Sequence, residues 1–164
     1  MQPQYRIGEG IDRHALEAGR RLLLCGVEIE HSHGLRGHSD GDAGLHALCD
    51  AMLGAAALGD LGAFFSDQDA ANAGRDSRDF LRDVVERVAR SGYRLSNADL
   101  TIMAEAPKLA PHVAAMRAVI AELCDVALDQ ISVKATRGEG LGPEGRGECM
   151  TVRAVVLLTR EETA

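Results

Sequence analysis

Two apolar periods alternate along this chain, one near two residues and one near 3.6, and the switches between them mark out its elements. Residues 4–12 alternate, with Tyr5 and Ile7 on one face and Gly8 and Gly10 where a ligand can come close, which predicts a strand. Residues 21–29 predict a second strand or a hairpin arm. Residues 42–58 repeat at the helical period, rich in Ala and Leu and apolar almost all round, as a buried helix is. Gly59-Asp60-Leu61-Gly62 should stop it, glycine being the usual residue just past a helix end. Residues 66–76 are polar and predict a surface loop.

Further on, Asp76 or Ser77 caps an amphipathic helix with Phe80, Leu81, Val84, Val85 and Val88 on one face, ending at Gly92. Residues 98–103 predict a strand. Pro111 suits the first position of a helix carrying Val113, Met116, Ile120 and Leu123 on one side. Residues 131–136 and 149–158 are the last strands, separated by a Gly-rich loop at 138–147. There is no repeat of fixed period and no long linker. Residues 1–164 therefore read as a single α/β (α+β) domain, a two-layer sandwich with a mixed β-sheet and helices on one face.

Composition narrows the function. With 46 % hydrophobic residues in 164, the chain can bury a core. Its net charge of −7 and 3 % aromatic content argue against nucleic acid, since phosphates need cations and bases need rings to stack on. The longest apolar runs, at 22–27 and 51–58, fall far short of the ~20 residues that span a bilayer. Residues 1–20 contain no apolar signal-like core, so the cytoplasm is the expected location. Cys25, Cys49, Cys124 and Cys149 form no Cys-x-x-Cys pair and read as reduced core thiols.

Candidate chemistry starts at Asp12 and His14. Strand side chains two apart leave from the same face, so this carboxylate and imidazole point together, as two ligands of one metal would. His46 supplies a third ligand. One Asp and two His with a fourth position open is the arrangement of a catalytic rather than a structural zinc. Taken alone, His46 reads first as a hydrogen-bonded core histidine; it is the convergence of ligands that points to a metal. Asp42, four residues earlier, shares its helix face and also reads as an acid placed by the helix dipole. His38 and Ser39 flank the start of that helix, where free N–H groups suit a phosphate. His31 and His33 form a rival pair, but their polar turn offers no further ligand and reads as a solvated loop.

Two later segments carry polar groups. The loop Ala104-Glu105-Ala106-Pro107-Lys108-Leu109-Ala110-Pro111 can present backbone groups to the edge of a base, with Lys108 reaching a phosphate; by itself it reads as a plain connection. Thr136-Arg137-Gly138-Glu139 offers a hydroxyl, a guanidinium and a carboxylate, which suit phosphate and a hard divalent ion.

In order along the chain stand Arg-Ile-Gly-x-Gly-x-Asp-x-His at 6–14, His-Ser-Asp-Gly-Asp at 38–42 with His46, Leu-Gly-Asp-x-Gly at 58–62, Ala-Pro-Lys at 106–108 and Val-Lys-Ala-Thr at 133–136. Together they resemble the 2-C-methyl-D-erythritol 2,4-cyclodiphosphate synthase family, over residues 4–160. The resemblance implies cyclisation of 4-diphosphocytidyl-2-C-methyl-D-erythritol 2-phosphate with release of CMP. It implies zinc on Asp12, His14 and His46, and magnesium or manganese with the diphosphate, held by Glu139. It also implies His38 as a transition-state stabiliser, a role extended here to Arg137, and Arg13 and Ser39 beside the phosphates. Asp60, Leu61 and Gly62 would hold the methylerythritol, with Phe65, Ser66, Asp67, Gln68 and Asp69 extending that wall. Ala104, Glu105, Ala106, Pro107, Lys108, Leu109 and Ala110 would read the cytosine, and Thr136, Arg137, Gly138 and Glu139 would grip the diphosphate.

The family pattern further implies a homotrimer whose sheets pack together at its centre and whose sites are shared between subunits. Its central cavity would take an isoprenoid diphosphate near Pro143 and Arg146. This chain departs from the pattern at Arg137, where a second threonine is usual, and at Pro143 and Ile11, which replace aromatic residues. Two other readings compete: a zinc phosphoesterase on nucleotides with Asp42 as base, and a non-catalytic trimer that binds metal and ligand.

Overall fold

A computed structural model describes residues 3–65 and 74–160. In chain order its strands are β1 (Tyr5–Ala18), β2 (Leu22–Leu24), β3 (Val27–Ile29), β4 (His33–Leu35), β5 (Tyr93–Met103), β6 (Ile131–Thr136) and β7 (Cys149–Arg160). Its helices are α1 (Ala43–Ala55), α2 (Leu61–Phe64), α3 (Ser77–Arg90), α4 (Val113–Cys124) and α5 (Gly142–Gly145). Five strands form one mixed sheet in the order β4-β1-β7-β5-β6, with β5 and β6 parallel and the other pairs antiparallel. Helices α1, α3 and α4 cover one face, as the alternating periods predict.

Several boundaries move. β1 runs on past residue 12, so Asp12 and His14 both lie inside it. The segment 21–29 is a whole hairpin, β2 and β3, turning at Cys25 and Gly26, whose φ values of 52° and 75° suit the tight turn between twisted strands. β5 begins at Tyr93 rather than near residue 98, its first half disguised by polar residues and a bulge at Leu95–Asn97. α1 stops at Ala55, before Leu58. The left-handed residue that closes it is Ala57 (φ 59°), with Ala57 N–H donating to Gly54 O and Leu58 N–H to Leu53 O. Pro111 opens a 3-10 turn over Ala110–His112 that leads into α4. His33 is not in a loop but starts β4, pairing with Ala18.

The core is what the two periods require. Leu45, Leu48, Met52 and Leu53 of α1, Phe80, Leu81, Val84 and Val88 of α3, and Met116 and Ile120 of α4 meet Leu100, Ile102, Val152, Ala154, Val156 and Leu158 of the sheet. All four cysteines are free and buried, and burial pushes the Cys124 thiol up to about 12, so these thiols behave as apolar core groups. Among the described residues no helix is long and apolar enough to cross a membrane.

Contact between α1 and β1 is unusually close, because two glycines permit it. A Cβ on Gly8 would fall 2.0 Å from Ala51 O, and one on Gly10 2.0 Å from Ala47 O. With no side chain there, the helix backbone lies directly on the strand. The other face of β1 is different. Tyr5, Ile7 and Ile11 are 60 %, 73 % and 56 % exposed, and Val155 of the adjacent β7 is 38 % exposed, so this apolar face is uncovered by the rest of the described chain.

Gly10→Ala should force α1 off the sheet and lower stability by about 1–3 kcal/mol, the usual cost of overpacking a filled interior. Thermal and denaturant unfolding of the variant measure it.

Candidate metal centre and adjoining pockets

The metal-binding candidates are brought together by the register between β1 and α1. Gly8 meets Ala51 and Ala55, Gly10 meets Ala47 and Ala51, and helix and strand run in opposite directions. Two more strand residues advance about 6.7 Å and four helix residues about 6 Å, so the next pair in that register is Asp12 with the turn that carries His46. Asp12 Oδ2 lies 2.8 Å from His14 Nε2 and 3.1 Å from His46 Nδ1. Among the described residues this is the one group of three His, Cys, Asp or Glu with ligand atoms close enough for a shared ion, all within 4.8 Å.

Each ligand is oriented from behind. Asp12 Oδ1 accepts the Arg13 N–H at 2.9 Å, which leaves Oδ2 for the cluster. His14 Nδ1 lies 2.7 Å from the carbonyl oxygen of Arg36 and donates to it, which leaves Nε2 facing the cluster. His46 Nε2 lies 2.9 Å from Ser77 Oγ and 3.2 Å from Ser39 Oγ. Burial would raise the Asp12 carboxyl, but the hydrogen bonds to His14 and His46 outweigh it and hold it well below the usual carboxylate range. The same bond to Asp12 raises the pKa of His14, against the opposing effect of burial. The donor set of one carboxylate oxygen and two imidazole nitrogens fits a divalent transition ion.

The triad borders a cavity of about 250 Å³ lined by His14, His38, Ser39, His46, Leu61, Phe65 and Phe80. His38 stands exposed at its edge. Phe65 packs on Phe80 with ring centroids 4.9 Å apart, and the Arg75 guanidinium lies over both rings at 5.2 and 4.7 Å. Asp60 caps α2 by accepting the Ala63 N–H, which sets Leu61 at the cavity while Gly62 stays exposed. Ser66, Asp67, Gln68 and Asp69 fall outside the described residues.

Three expectations change. Asp42 does not share a face with His46. It is the N-cap of α1, 1 % exposed, and its carboxylate accepts N–H groups from Cys25, Gly26 and Leu45 at 2.8, 2.5 and 3.0 Å. So occupied, it is no free base for a zinc phosphoesterase, and the helix N-terminus it fills is closed to a phosphate. Arg13 leaves the opposite face of β1 from Asp12 and His14, held by Glu144 at 2.9 Å and Thr151 Oγ1 at 2.8 Å. Arg137 pairs with Glu105, not with Glu139. The Glu105 bond keeps the guanidinium charged and lowers the Glu105 carboxyl.

That ion pair edges a second cavity, of about 430 Å³, lined by Glu105, Ala106, Pro107, Lys108, Leu109, Ala110, Ala135, Thr136 and Arg137. The two segments singled out in the sequence thus face one space, held together by Ala104 N–H donating to Thr136 O. Ala104 and Leu109 are buried, so their side chains belong to the core. Gly138 is half-buried, and Glu139 is exposed with φ 53°. Pro143 lies in α5, and Arg146 beyond it pairs with Glu148 at 2.8 Å. The residues that sequence alone did not tie to the site are Arg36, Ser77 and Phe80.

Three possible metal ligands set where a glycine-packed strand meets a buried helix, beside a part-apolar cavity, mark a candidate metal centre in a domain of the mixed α/β class. The chain belongs to the YgbB family, whose model matches residues 5–159. The 2-C-methyl-D-erythritol 2,4-cyclodiphosphate synthase of Marinobacter nauticus is 56 % identical over 93 % of this chain and 96 % of its own. Among solved structures, the bifunctional IspDF of Campylobacter jejuni superposes with a TM-score of 0.93 at 40 % identity, over 96 % of this chain and 43 % of that one. A 2C-methyl-D-erythritol-2,4-cyclodiphosphate synthase in its CDP-bound form superposes with a TM-score of 0.86 at 42 % identity, covering 93 % of this chain and 99 % of its own.

Removing His46 should abolish metal binding at the triad, whereas His31→Ala and His33→Ala should leave it intact; metal analysis of the purified variants reads both. The proton that His14 Nε2 shares with Asp12 must leave before that nitrogen can bond a metal. Because the His14 pKa is raised, affinity should be full above that raised value and fall as pH drops through it, by about tenfold per pH unit for one displaced proton. Metal titrations across that range measure the slope.

Proposed function

We propose that this chain is a 2-C-methyl-D-erythritol 2,4-cyclodiphosphate synthase, a metal-dependent phosphorus–oxygen lyase of isoprenoid precursor biosynthesis. Its substrate is 4-diphosphocytidyl-2-C-methyl-D-erythritol 2-phosphate. An oxygen of the 2-phosphate attacks the β-phosphorus, the bond from that phosphorus to the bridging oxygen breaks, and CMP departs with the bridging oxygen. The observation that carries this reading is the triad of Asp12, His14 and His46, whose two histidines line a cavity together with His38, Ser39, Leu61, Phe65 and Phe80.

The reaction needs little acid–base work. It needs two anionic phosphates brought together and the developing charge stabilised. Zinc at the triad, with magnesium or manganese at Glu139, would supply Lewis-acid neutralisation of the phosphates. His38 and Ser39 offer hydrogen bonds to phosphate oxygens at the cavity edge. The walls of Leu61, Phe65 and Phe80 suit the apolar methylerythritol carbons. In the second cavity, backbone groups of the Pro107–Lys108 segment suit a cytosine edge, while Lys108, Thr136 and Arg137 reach for the diphosphate.

A homotrimer with shared sites fits the exposed Tyr5, Ile7, Ile11 and Val155 on the face of β1 and β7 turned away from α1, a face that also carries the Glu9–Arg153 ion pair. The two cavities have no lining residue in common, as expected where a neighbouring subunit completes each site.

Phosphorus-31 NMR of the reaction should show a cyclic diphosphate and CMP. Free inorganic phosphate as the main product would defeat the reading. Light scattering should give three chains per particle, and Ile7→Glu on the exposed face should release monomers and abolish the activity. Arg137→Ala should lower kcat by about 10²-fold, the scale of one lost transition-state contact, and Arg137→Thr should recover much of it. Wild-type kinetics for Arg137→Ala would mean that the Glu105 pair is only a surface clasp.

A further inference from the structure

Ser77 and Asp40 are the polar groups behind the triad whose purpose the reaction does not explain. Ser77 opens α3 and is fully buried, yet its hydroxyl is not spent on capping that helix; Asp76 does that by accepting the Arg78 N–H. The Ser77 hydroxyl instead touches two groups. One is an Asp40 carboxylate oxygen at very short range, and the other is His46 Nε2 at 2.9 Å. Asp40 is itself fixed by backbone, its Oδ2 accepting the Ser77 N–H at 2.9 Å and its Oδ1 the Asp42 N–H at 3.1 Å.

A serine hydroxyl has one proton, and a carboxylate only accepts. With that proton directed to Asp40, the oxygen of Ser77 can only accept from His46. Nε2 of His46 must therefore carry hydrogen, and Nδ1 is the nitrogen left to bond a metal. Nδ1 is also the atom that faces Asp12 Oδ2, at 3.1 Å. We propose that Ser77, aligned by Asp40, is a positioning residue that commits His46 to metal binding through Nδ1. Ser39 does not do the same job. Its hydroxyl lies farther from Nε2, at 3.2 Å, accepts a long bond from Gly41 N–H at 3.4 Å and borders the cavity, with no carboxylate among the described residues to direct its proton. With the ring held by Ser77, Ser39 is left to turn toward a phosphate.

This arrangement joins α3 to the metal centre. Asp40 and Ser77 are far apart in sequence, and their contact closes the 38–42 segment against the start of α3. The inference rests on the triad being the zinc site of the proposed function, and it concerns which ring nitrogen is used and what holds it.

The test is zinc affinity by chelator competition, together with nitrogen-15 imidazole NMR of His46, in wild type, Ser77→Ala, Ser77→Thr and Ser39→Ala. Wild type should show a protonated Nε2 with zinc bound. Ser77→Ala should weaken zinc by about 10–100-fold, the usual effect of losing a partner behind a ligating histidine, and should give mixed tautomers in the zinc-free protein. Ser77→Thr should restore both, and Ser39→Ala should leave the tautomer unchanged. If Ser77→Ala does not fold, Asp40→Asn serves: its amide sets a donor against a backbone N–H in either orientation, so zinc should again weaken. Unchanged zinc affinity and an unchanged His46 signal in a folded Ser77→Ala, or in Asp40→Asn where that variant serves, overturn the inference while the triad stands. A wild type that binds no zinc, or a His46→Ala that binds it fully, overturns the zinc reading and this inference with it.

Discussion

Everything functional in this chain depends on α1 lying flush on β1. Gly8 and Gly10 give up side-chain packing so that the carbonyls of Ala51 and Ala47 can sit where a Cβ would be. That closeness sets the register, and the register is what delivers His46 to Asp12 and His14. A helix held away by ordinary side chains would sit several ångströms farther off, and the imidazole would not reach the carboxylate. The metal centre is therefore a product of backbone packing first and of ligand chemistry second. The buried apolar surround of α1, from Leu45 to Leu53, keeps the helix where the glycines allow it to be.

The cluster couples a carboxylate to two imidazoles at close range. Two imidazole nitrogens and a carboxylate oxygen converge on one point, each already fixed from behind by Arg36, Ser77 or the Arg13 N–H. The hydrogen bond between Asp12 and His14 lowers the carboxyl and raises the imidazole. A divalent ion would take the place of the proton in that bond and be held by Asp12, His14 and His46, whose ligand atoms already face one another at 2.8 and 3.1 Å. The preorganisation that suits the site to a cation is the same feature that displaces the pKa values of Asp12 and His14.

Much of this was legible in the sequence, for reasons tied to range. The i, i+2 pair Asp12 and His14 needs only a strand, and the apolar period of residues 42–58 needs only a helix, so both could be read locally. The Gly8 and Gly10 spacing pointed to a close approach, though not to a helix as the thing approaching. What could not be read was pairing across the fold. Nothing in the sequence joins Ser77 to His46 or Glu105 to Arg137, because those meetings are made by tertiary packing. Asp42 was misjudged for a related reason. At the edge of a helix, one residue decides whether a carboxylate is a first-turn acid facing outward or a cap turned inward, and the β2–β3 hairpin that claims it is distant in sequence. Ala57 closes α1 where a glycine was expected, since the bonds back to Leu53 and Gly54 outweigh the modest strain of a left-handed alanine.

The sheet also explains why one chain holds two half-sites. Asp12 pairs across the sheet with Val152, Val152 with Ile102, and Ile102 with Ala135, so the metal centre and the Thr136 segment lie at one level of the sheet. Three strand spacings separate β1 from β6, about 14 Å, with β7 and β5 between. The metal cavity opens where α1 meets one side of the sheet, and the Glu105–Arg137 cavity opens beyond the other. In the proposed trimer, the apolar strip of Tyr5, Ile7, Ile11 and Val155 turns inward, and this side-to-side separation becomes an advantage. The β6 side of one subunit can then stand against the β1 side of the next. A substrate with a phosphate at one end and a nucleoside at the other matches two sites of different chemistry brought together by packing of the sheets, each formed rigidly within its own chain.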